Sequence, residues 1–321
     1  MRARIRWADQ TPVIIVVLMI VIFGVLAGEY FLTPRNFENV LRQVSLDAPI
    51  VFGQTLVLIA GGIDLSVGSN MAMSAALAIG LQPALGTGLA VLTALGFGTL
   101  VGLVNGLLVT KGRIVPFIAT LGTMTVLRGL LLTYTQQQPI SGSDPEFVWW
   151  GSGSVGFIPV PTLVTLVLLV LLTLFLRSTR PGRNLFAIGG NREAAELAGI
   201  PIERFVILAF VGSGFLAGVS GVLVAARINS ANVQLGLDTP LLSIAAAIIG
   251  GASLLGGRGR MGGSLLGVLA LGLLTNGMNL VGIMTHYQIA IRATILISVV
   301  AIDAFTRNMS TRLHRRLGTS G

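Results

Sequence analysis

One acidic residue, Asp64, stands in an almost continuous apolar stretch, in the run "GGIDLSVGS" at residues 61–69. Gly61 and Gly62 suit a chain leaving a helix, because glycine accepts a positive φ. Asp64 is a natural N-cap for a helix that starts near Ser66. If the stretch crosses a membrane, the same carboxylate could instead line a polar pathway. The two interpretations are compatible, and both stay open from the sequence.

A second polar motif, "GGNREAAELAGI", follows a basic stretch. It predicts a short helix with Asn191 as N-cap, Glu193 in the first turn and Gly199-Ile200-Pro201 as the stop. Such a helix could be a solvated connector. Its flat alanine face and sharp turn also suit a knob that docks into a groove of another protein. The candidate docking residues are Arg192, Glu193, Ala194, Ala195 and Gly199.

Other polar side chains are isolated inside apolar runs. Arg128 lies about midway along its run, and a buried arginine there needs a partner or a water-filled cavity. Arg292 is a second candidate, and either arginine could snorkel to an interface. Asn105, Asn276 and Asn279 could hydrogen-bond between helices or contact a polar solute.

Several kinds of chemistry are excluded. There is no cysteine, and the two histidines, His286 and His314, are far apart. The sequence offers no Ser/His/Asp arrangement and no paired carboxylates. The glycine-rich stretch at 250–263 lacks a GK[ST] signature and a preceding strand, so close helix packing explains it better than nucleotide binding. We therefore predict no catalytic residue, no cofactor site and no metal site.

The composition places this chain in a bilayer. Of its 321 residues 53% are hydrophobic and only 10% are charged, whereas about a quarter is charged in soluble domains. The 42 glycines suit close helix approach in lipid. The net charge of +9 is explained by basic cytoplasmic loops rather than by nucleic-acid binding.

We predict an all-α, polytopic transmembrane bundle forming one permease-like domain over 1–321. A span needs about 20 apolar residues. The first run is interpreted as a retained helix rather than a signal peptide, because it is long and has no clear cleavage site. The ten predicted spans lie at about 11–28, 42–61, 65–83, 86–110, 114–134, 159–176, 205–226, 240–256, 262–283 and 287–306.

The basic residues predict the orientation. With the N-terminus in the cytoplasm, only Arg35, Arg42 and Arg227 of the 21 basic residues fall in outer segments. Arg128 and Arg292 fall within spans, which leaves sixteen in inner segments. Both termini are therefore predicted to be cytoplasmic.

Two loops stand out in this topology. The loop at 177–204 is cytoplasmic and holds the predicted docking helix. The loop at 135–158 is external and contains Trp149 and Trp150, which could be an interfacial anchor or lie under an external partner.

Four segments together carry a family resemblance: "GQTLVLIAGGIDLSVGSNMAMSAA", "KGRIVPFIATLGTMTVLRG", "GGNREAAELAGI" and "GGASLLGGRGRMGGSLLGVLALGLLTNGMNLVGI". They resemble the ribose-type permeases of ATP-binding-cassette importers, over about 36–303. The resemblance implies the inner (plasma) membrane of a bacterium and a permease dimer, usually of identical chains although heterodimers occur. It also implies a separate cytoplasmic ATP-binding subunit with tandem domains and a periplasmic or lipid-anchored sugar-binding protein.

The resemblance also bears on the docking loop. Glu193, Ala194, Ala195 and Gly199 match the EAA-x-x-x-G core with which such permeases contact their ATPase. The usual I-x-L-P ending is absent, and "FVILAF" occupies that region. The resemblance in this loop therefore covers the EAA core and does not extend to the ending.

The sequence leaves three other interpretations of its function open. A branched-chain amino-acid permease would share the loop and the glycine-rich stretch but usually lacks the "GIDLS" run. An ion-coupled secondary transporter would normally carry acids in mid-span. Here only Asp64 and Asp303 come close. A membrane subunit that transports nothing is the third.

Overall fold

The structure of the protein is a computed structural model that describes residues 7–142, 144–295, 297, 298 and 301. Predictions about the two chain termini, about Asp303 and His314, and about the last part of the tenth span lie outside the described residues.

Helices dominate the described chain, and their bounds follow the apolar runs. They are α1 (Trp7–Leu26), α2 (Pro34–Ile59), α3 (Val67–Gly80), α4 (Gln82–Thr110), α5 (Pro116–Thr135), α6 (Pro145–Ser152), α7 (Val160–Ser178), α8 (Arg180–Gly190), α9 (Arg192–Leu197), α10 (Ile202–Ile228), α11 (Thr239–Ile249) and α12 (Met261–Leu280). A 3₁₀ turn covers Gly28–Tyr30, and residues 285–295 are again helical. The all-α bundle is confirmed.

Among the described residues, five helices are long and apolar enough to cross a bilayer: α4, α5, α7, α10 and α12. By contrast α3 has 14 residues and α11 has 11. At about 1.5 Å per residue, neither crosses ~30 Å of hydrocarbon. The predictions of continuous spans over 65–83 and 240–256 are therefore wrong, because α3 covers only Val67–Gly80 and the chain leaves α11 after Ile249. The number of ten spans stays a prediction.

The helices α2 and α11 end in the same way. A glycine with positive φ follows each of them, Gly61 at +84° and Gly251 at +91°. The next residue, Gly62 or Ala252, donates its backbone N–H to the carbonyl five residues back, at 2.9 Å in both cases. This is a Schellman ending, which satisfies carbonyls that a helix end leaves free. It explains one glycine of each pair, the first at 61–62 and the second at 250–251.

Helix α10 lies at the centre of the bundle. The most apolar 18-residue stretch of α10 is 67% buried, whereas the corresponding stretches of α4, α5 and α7 are 28% buried or less. Small residues bring its neighbours close: a Cβ on Gly98 of α4 would lie 2.7 Å from the Gly214 carbonyl oxygen, and one on Gly53 of α2 would lie 2.9 Å from the Ser213 Cα. The backbones therefore touch, as expected where close packing holds helices together in lipid.

The bundle has two ends, joined by α7. The α6 end carries α6 and two short antiparallel ribbons, β1 (Ile140–Ser141) with β4 (Ser230–Ala231) and β2 (Ser154–Val155) with β3 (Ile158–Pro159). Buried Arg42 anchors this end, since it pairs with Glu38 at 2.7 Å and donates to the Ser152 carbonyl at 2.6 Å.

Asp144 caps α6. A hydrogen bond from Thr87, and then one from a backbone N–H, hold the pKa of Asp144 below its usual value.

The α9 end carries α8 and α9. Pro181 and Gly182, which could punctuate a loop, instead lie in the first turn of α8. Proline is tolerated there, since the first N–H groups of a helix have no partner within it. The Thr179 hydroxyl accepts a hydrogen bond from the Gly182 N–H at 3.2 Å and caps the helix.

Candidate functional site

Asp64 is buried, with 1% of its surface exposed, in the unwound segment between α2 and α3. One carboxylate oxygen accepts hydrogen bonds from the Ser66 N–H at 3.0 Å and the Ser66 hydroxyl at 2.6 Å. The other accepts from the Ser213 hydroxyl at 2.9 Å, near the middle of α10. The carboxylate thus fixes the unwound segment to the central helix.

The prediction that Asp64 is the N-cap of the next helix is wrong. Helix α3 begins at Val67, and Ser66 holds the N-cap position without a capping side-chain hydrogen bond. Asp64 instead bonds the N–H two residues on, which is an Asx turn. The acid therefore shapes the approach to α3.

Other helices cover the unwound segment. The Asn105 amide, from α4, donates to the Ser66 hydroxyl at 2.8 Å. The Thr120 hydroxyl, from α5, donates to the Ile63 carbonyl at 3.3 Å. Irregular backbone at membrane depth is tolerated only where protein or water covers it. Here α4, α5 and α10 provide that cover, and Asn105 joins two helices.

The other candidate side chains lie apart from Asp64. Arg128 is half-buried, and its guanidinium donates to the Val233 carbonyl at 2.5 Å and to the Leu235 carbonyl at 3.2 Å. It clamps α5 to the loop before α11. Asn276 exchanges two hydrogen bonds with Asn36, at 2.8 and 3.0 Å, near the start of α2. Since Asp64 follows the far end of that 26-residue helix, the structure does not bring these residues to one site.

The helix predicted for docking, α9, forms where it was expected. The Asn191 side chain accepts from the Ala194 N–H at 3.0 Å, which confirms the N-cap. Gly199, with φ +73°, turns the chain after α9. Arg192, Glu193 and Ala194 are exposed, and Ala195 packs inward.

Leu197, at the end of α9, was not among the docking residues predicted from the sequence. This side chain is 91% exposed, and it lies among the charged residues of the α9 end. A large apolar residue that is so exposed at the tip of a projecting helix is an interaction candidate.

The surface beside α9 is contributed by two other elements. A cavity of about 460 Å³ lies between α9, the start of α10 and the turn after α4. Arg192 and Glu196 line it together with Arg113 of that turn. Lys111 and Glu203 form an ion pair of 3.1 Å across the same region. The α9 end therefore offers a concave, charged surface next to an apolar tip.

A contact between glycines links the α9 end to Asp64. We call Gly61, Gly189, Gly256 and Gly257 the glycine junction. The Gly257 N–H donates to the Ile59 carbonyl at 2.9 Å, and Gly189 of α8 packs against both groups. Helix α8, which leads into α9, thus touches the chain at Ile59, five residues before Asp64. This junction was not predicted, because the sequence contains many glycine pairs and a pair does not indicate which residues it will contact.

Comparison with known proteins places this helical membrane bundle in a family. The family described as "Branched-chain amino acid transport system / permease component" matches residues 36–300. The "Ribose import permease protein RbsC" of Bacillus subtilis (strain 168) is 41% identical over 89% of each chain. RbsC of Escherichia coli (strain K12) is 37% identical over 92% of this chain and 93% of its own length. The "D-allose transport system permease protein AlsC" of the same strain is 34% identical over 92% of each.

The chain therefore belongs to this permease family of ATP-binding-cassette importers, within its ribose-type branch. It is an integral, multi-pass protein of the bacterial inner membrane. The resemblance noted in the sequence is confirmed.

Proposed function

We propose that this permease carries a monosaccharide into the cytoplasm, with a pentose or hexose as substrate. The support is the identity of 37–41%, over nearly the whole chain, to permeases named for ribose import, together with relatives named for D-allose and L-arabinose. Branched-chain amino acids are the alternative in the family description. Full-length relatives named for sugars make that alternative the weaker one.

The proposed assembly contains two copies of this chain, a cytoplasmic tandem-domain ATPase and a sugar-binding protein outside the membrane. The α9 end is assigned to the cytoplasm, together with both termini, because sixteen of the 21 basic residues fall on that side of the predicted topology. The α6 end then faces the binding protein. Exposed Trp149 and Trp150 stack edge-on there at 5.6 Å, and Phe157 is 96% exposed. The tryptophans suit a lipid anchor or a partner contact.

Helix α9 is the proposed docking element. Its tip residue Leu197 would be buried in the ATPase, and its polar face would set the orientation of the contact. Burying one leucine side chain contributes about 1.5–3 kcal/mol. The proposed contact residues are those of the motif, Arg192, Glu193, Ala194, Ala195 and Gly199, with Leu197 added.

The proposed route of coupling runs from α9 through α8 to the glycine junction. From there the unwound segment around Asp64 reaches the middle of α10 through Ser213. ATP binding in the partner would move α9, and the junction would pass that movement to the helix ends. Closely packed helices switch between discrete arrangements rather than deforming continuously. Nucleotide binding then needs only to favour one arrangement over the other.

The proposal is tested first by identifying the partners. The chain is purified in mild detergent, and co-purifying proteins are identified by mass spectrometry. We expect a tandem ATPase and a sugar-binding protein, and the binding protein should bind one of D-ribose, D-allose and L-arabinose in a titration. A binding protein that prefers leucine would instead support the amino-acid alternative.

The substitution Glu193→Lys should reduce stimulation of the ATPase by the permease. It reverses a charge in the first turn of α9, where an acid is favoured by the helix dipole and where the docked surface would lie. We expect stimulated ATP hydrolysis to fall on the order of tenfold, as for a change of ~1.4 kcal/mol. Glu146→Lys, an exposed acid in the first turn of α6, is the matched control and should leave stimulation unchanged. Equal stimulation by both variants would contradict the docking assignment.

The substitution Leu197→Ser should weaken ATPase binding without destabilising the permease. The side chain is 91% exposed in the free chain, so its removal costs little until the partner covers it. We expect the dissociation constant to rise about tenfold or more, measured by titrating the ATPase onto permease in nanodiscs. Leu237→Ser, 60% exposed at the other end, is the control. An unchanged dissociation constant for Leu197→Ser would contradict burial of this tip.

A further inference from the structure

A cavity of about 200 Å³ lies between α2, α11, α12 and the helical residues that begin at 285. Its polar lining residues are Gln43, Asp47, Thr239, Ser243, Thr275 and Arg292. None of them belongs to the Asp64 cluster or to the α9 end. An acid, a base, an amide and three hydroxyls thus border one partly open space between these helices.

The charges of this cavity do not neutralise each other directly. Two ion pairs are found among the described residues, and both lie elsewhere. Asp47 accepts a hydrogen bond from the Gln43 amide at 3.0 Å. Within the described chain, the hydrogen bond of the Arg292 side chain is a 3.4 Å contact from Nε to the Gln288 carbonyl. Charged groups at membrane depth usually serve a ligand or a polar path.

The hydroxyl groups add further binding capacity. Ser243 donates to the Pro240 carbonyl at 2.8 Å, and its oxygen can still accept. No hydrogen bond of the Thr239 or Thr275 hydroxyl is found among the described residues. The lining therefore offers acceptors and donors on several sides, which is what a ligand with a ring of hydroxyls requires.

The remaining wall of the cavity is apolar, with Val51, Leu242 and Leu271 among its residues. Ligand sites typically combine such walls with a few converging polar groups. A cavity of roughly 150 Å³ holds a benzene ring, so this one has room for a single sugar ring. The C–H faces of the ring would lie against the apolar wall.

The cavity lies in the half of the bundle nearer the α6 end. Gln43 directly follows Arg42, which binds the carbonyls at the end of α6, and Thr239 begins α11. In the proposed orientation, a solute released at the α6 end would reach this cavity before the middle of the membrane.

We propose that this cavity is a monosaccharide-binding site of the permease itself, in which Asp47 and Arg292 bind ring hydroxyls. The inference rests on the proposed function, since it takes the sugar as the transported solute. An amino acid could also place its ammonium on Asp47 and its carboxylate on Arg292. The additional amide and hydroxyl groups favour the polyol, and L-leucine serves as the competing probe below.

The first test is protection of an introduced thiol. The chain contains no cysteine, so Thr275→Cys provides a single reactive group in the cavity. In the complete transporter in nanodiscs, D-ribose at ten times its half-saturating concentration should slow alkylation by N-ethylmaleimide about tenfold. Gln138→Cys, exposed after α5, is the control and should react at one rate throughout. No protection by D-ribose, D-allose or L-arabinose, or protection by L-leucine alone, would overturn the proposal.

The second test separates this site from the rest of the machinery. In proteoliposomes with ATPase and loaded binding protein, Asp47→Asn and Arg292→Gln should lower sugar uptake about ten- to a hundredfold. Stimulated ATP hydrolysis should stay within about twofold, because α9 is untouched, and it also shows that the variants are folded. Arg177→Gln, an exposed arginine in the last turn of α7 and away from the cavity and the α6 end, should transport normally. Normal uptake by both cavity variants overturns this site alone, whereas no sugar uptake by the unsubstituted protein contradicts the proposed function.

Discussion

The substitution Asp64→Leu is expected to prevent the permease from reaching a stable folded state. It leaves three donors without their acceptor: the Ser66 N–H, the Ser66 hydroxyl and the Ser213 hydroxyl. Each unsatisfied buried polar group costs about 1–3 kcal/mol, so the total is a large part of the ~5–15 kcal/mol by which proteins are stable. Thermal unfolding in detergent, followed by size-exclusion chromatography, should show aggregated protein or a much lower melting temperature.

The matched variant Asp64→Asn should fold and transport. Its amide oxygen can accept from Ser66, and its NH₂ group can donate to the Ser213 hydroxyl, which reverses its role. Because both carboxylate oxygens of Asp64 are used by the protein, the charge is expected to serve structure rather than solute. A folded Asp64→Asn variant that has lost uptake would contradict this and would favour a role in the pathway.

The second large effect is expected at the glycine junction. A Cβ on Gly189 would overlap the Ile59 carbonyl oxygen and lie 2.5 Å from the Gly257 nitrogen. Gly189→Ala should therefore force α8 away from the end of α2, at about 1–3 kcal/mol for overpacking. We expect coupled sugar uptake to fall on the order of tenfold or more, as for a change of ~1.4 kcal/mol or larger. Uptake and ATP hydrolysis are measured together in proteoliposomes.

The neighbouring glycine supplies the control. No atom lies within 4 Å of a Cβ on Gly190, and alanine is favoured over glycine in a helix by about 1 kcal/mol. Gly190→Ala should therefore keep full uptake. If the Gly189→Ala variant shows the same coupled sugar uptake as the Gly190→Ala variant, the junction does not transmit movement from α9. The proposed coupling route is then wrong.

Local signals in the sequence were sufficient for part of this structure. Long apolar runs predicted the helices α4, α5, α7, α10 and α12, because length and hydropathy are properties of one segment. The N-cap at Asn191 and the stop at Gly199 were also local, and both were found. The short helices α3 and α11 were harder to predict, because an apolar run does not show where the backbone leaves the helix.

Long-range packing was not predictable. Ser213 binds Asp64 across 149 residues of sequence, and one serine in an apolar helix resembles any other. The cavity residues Asp47 and Arg292 are far apart in the sequence, and only the fold places them in one cavity. For Arg128, which lies mid-span, the sequence indicated a partner, a water-filled cavity or an interface, but it could not show that the carbonyls of the loop before α11 are its partners.

The central claim, that a separate ATPase drives sugar through this permease, is tested most directly by sugar uptake into sealed proteoliposomes. Permease, ATPase and loaded binding protein are reconstituted with ATP on the α9 side, and radiolabelled D-ribose, D-allose and L-arabinose are compared. We predict that one of these sugars accumulates only when all three proteins and ATP are present, and that proton or sodium gradients have no effect. Accumulation by the permease alone under an ion gradient, or no ATP-dependent uptake of any of the three, would contradict the account.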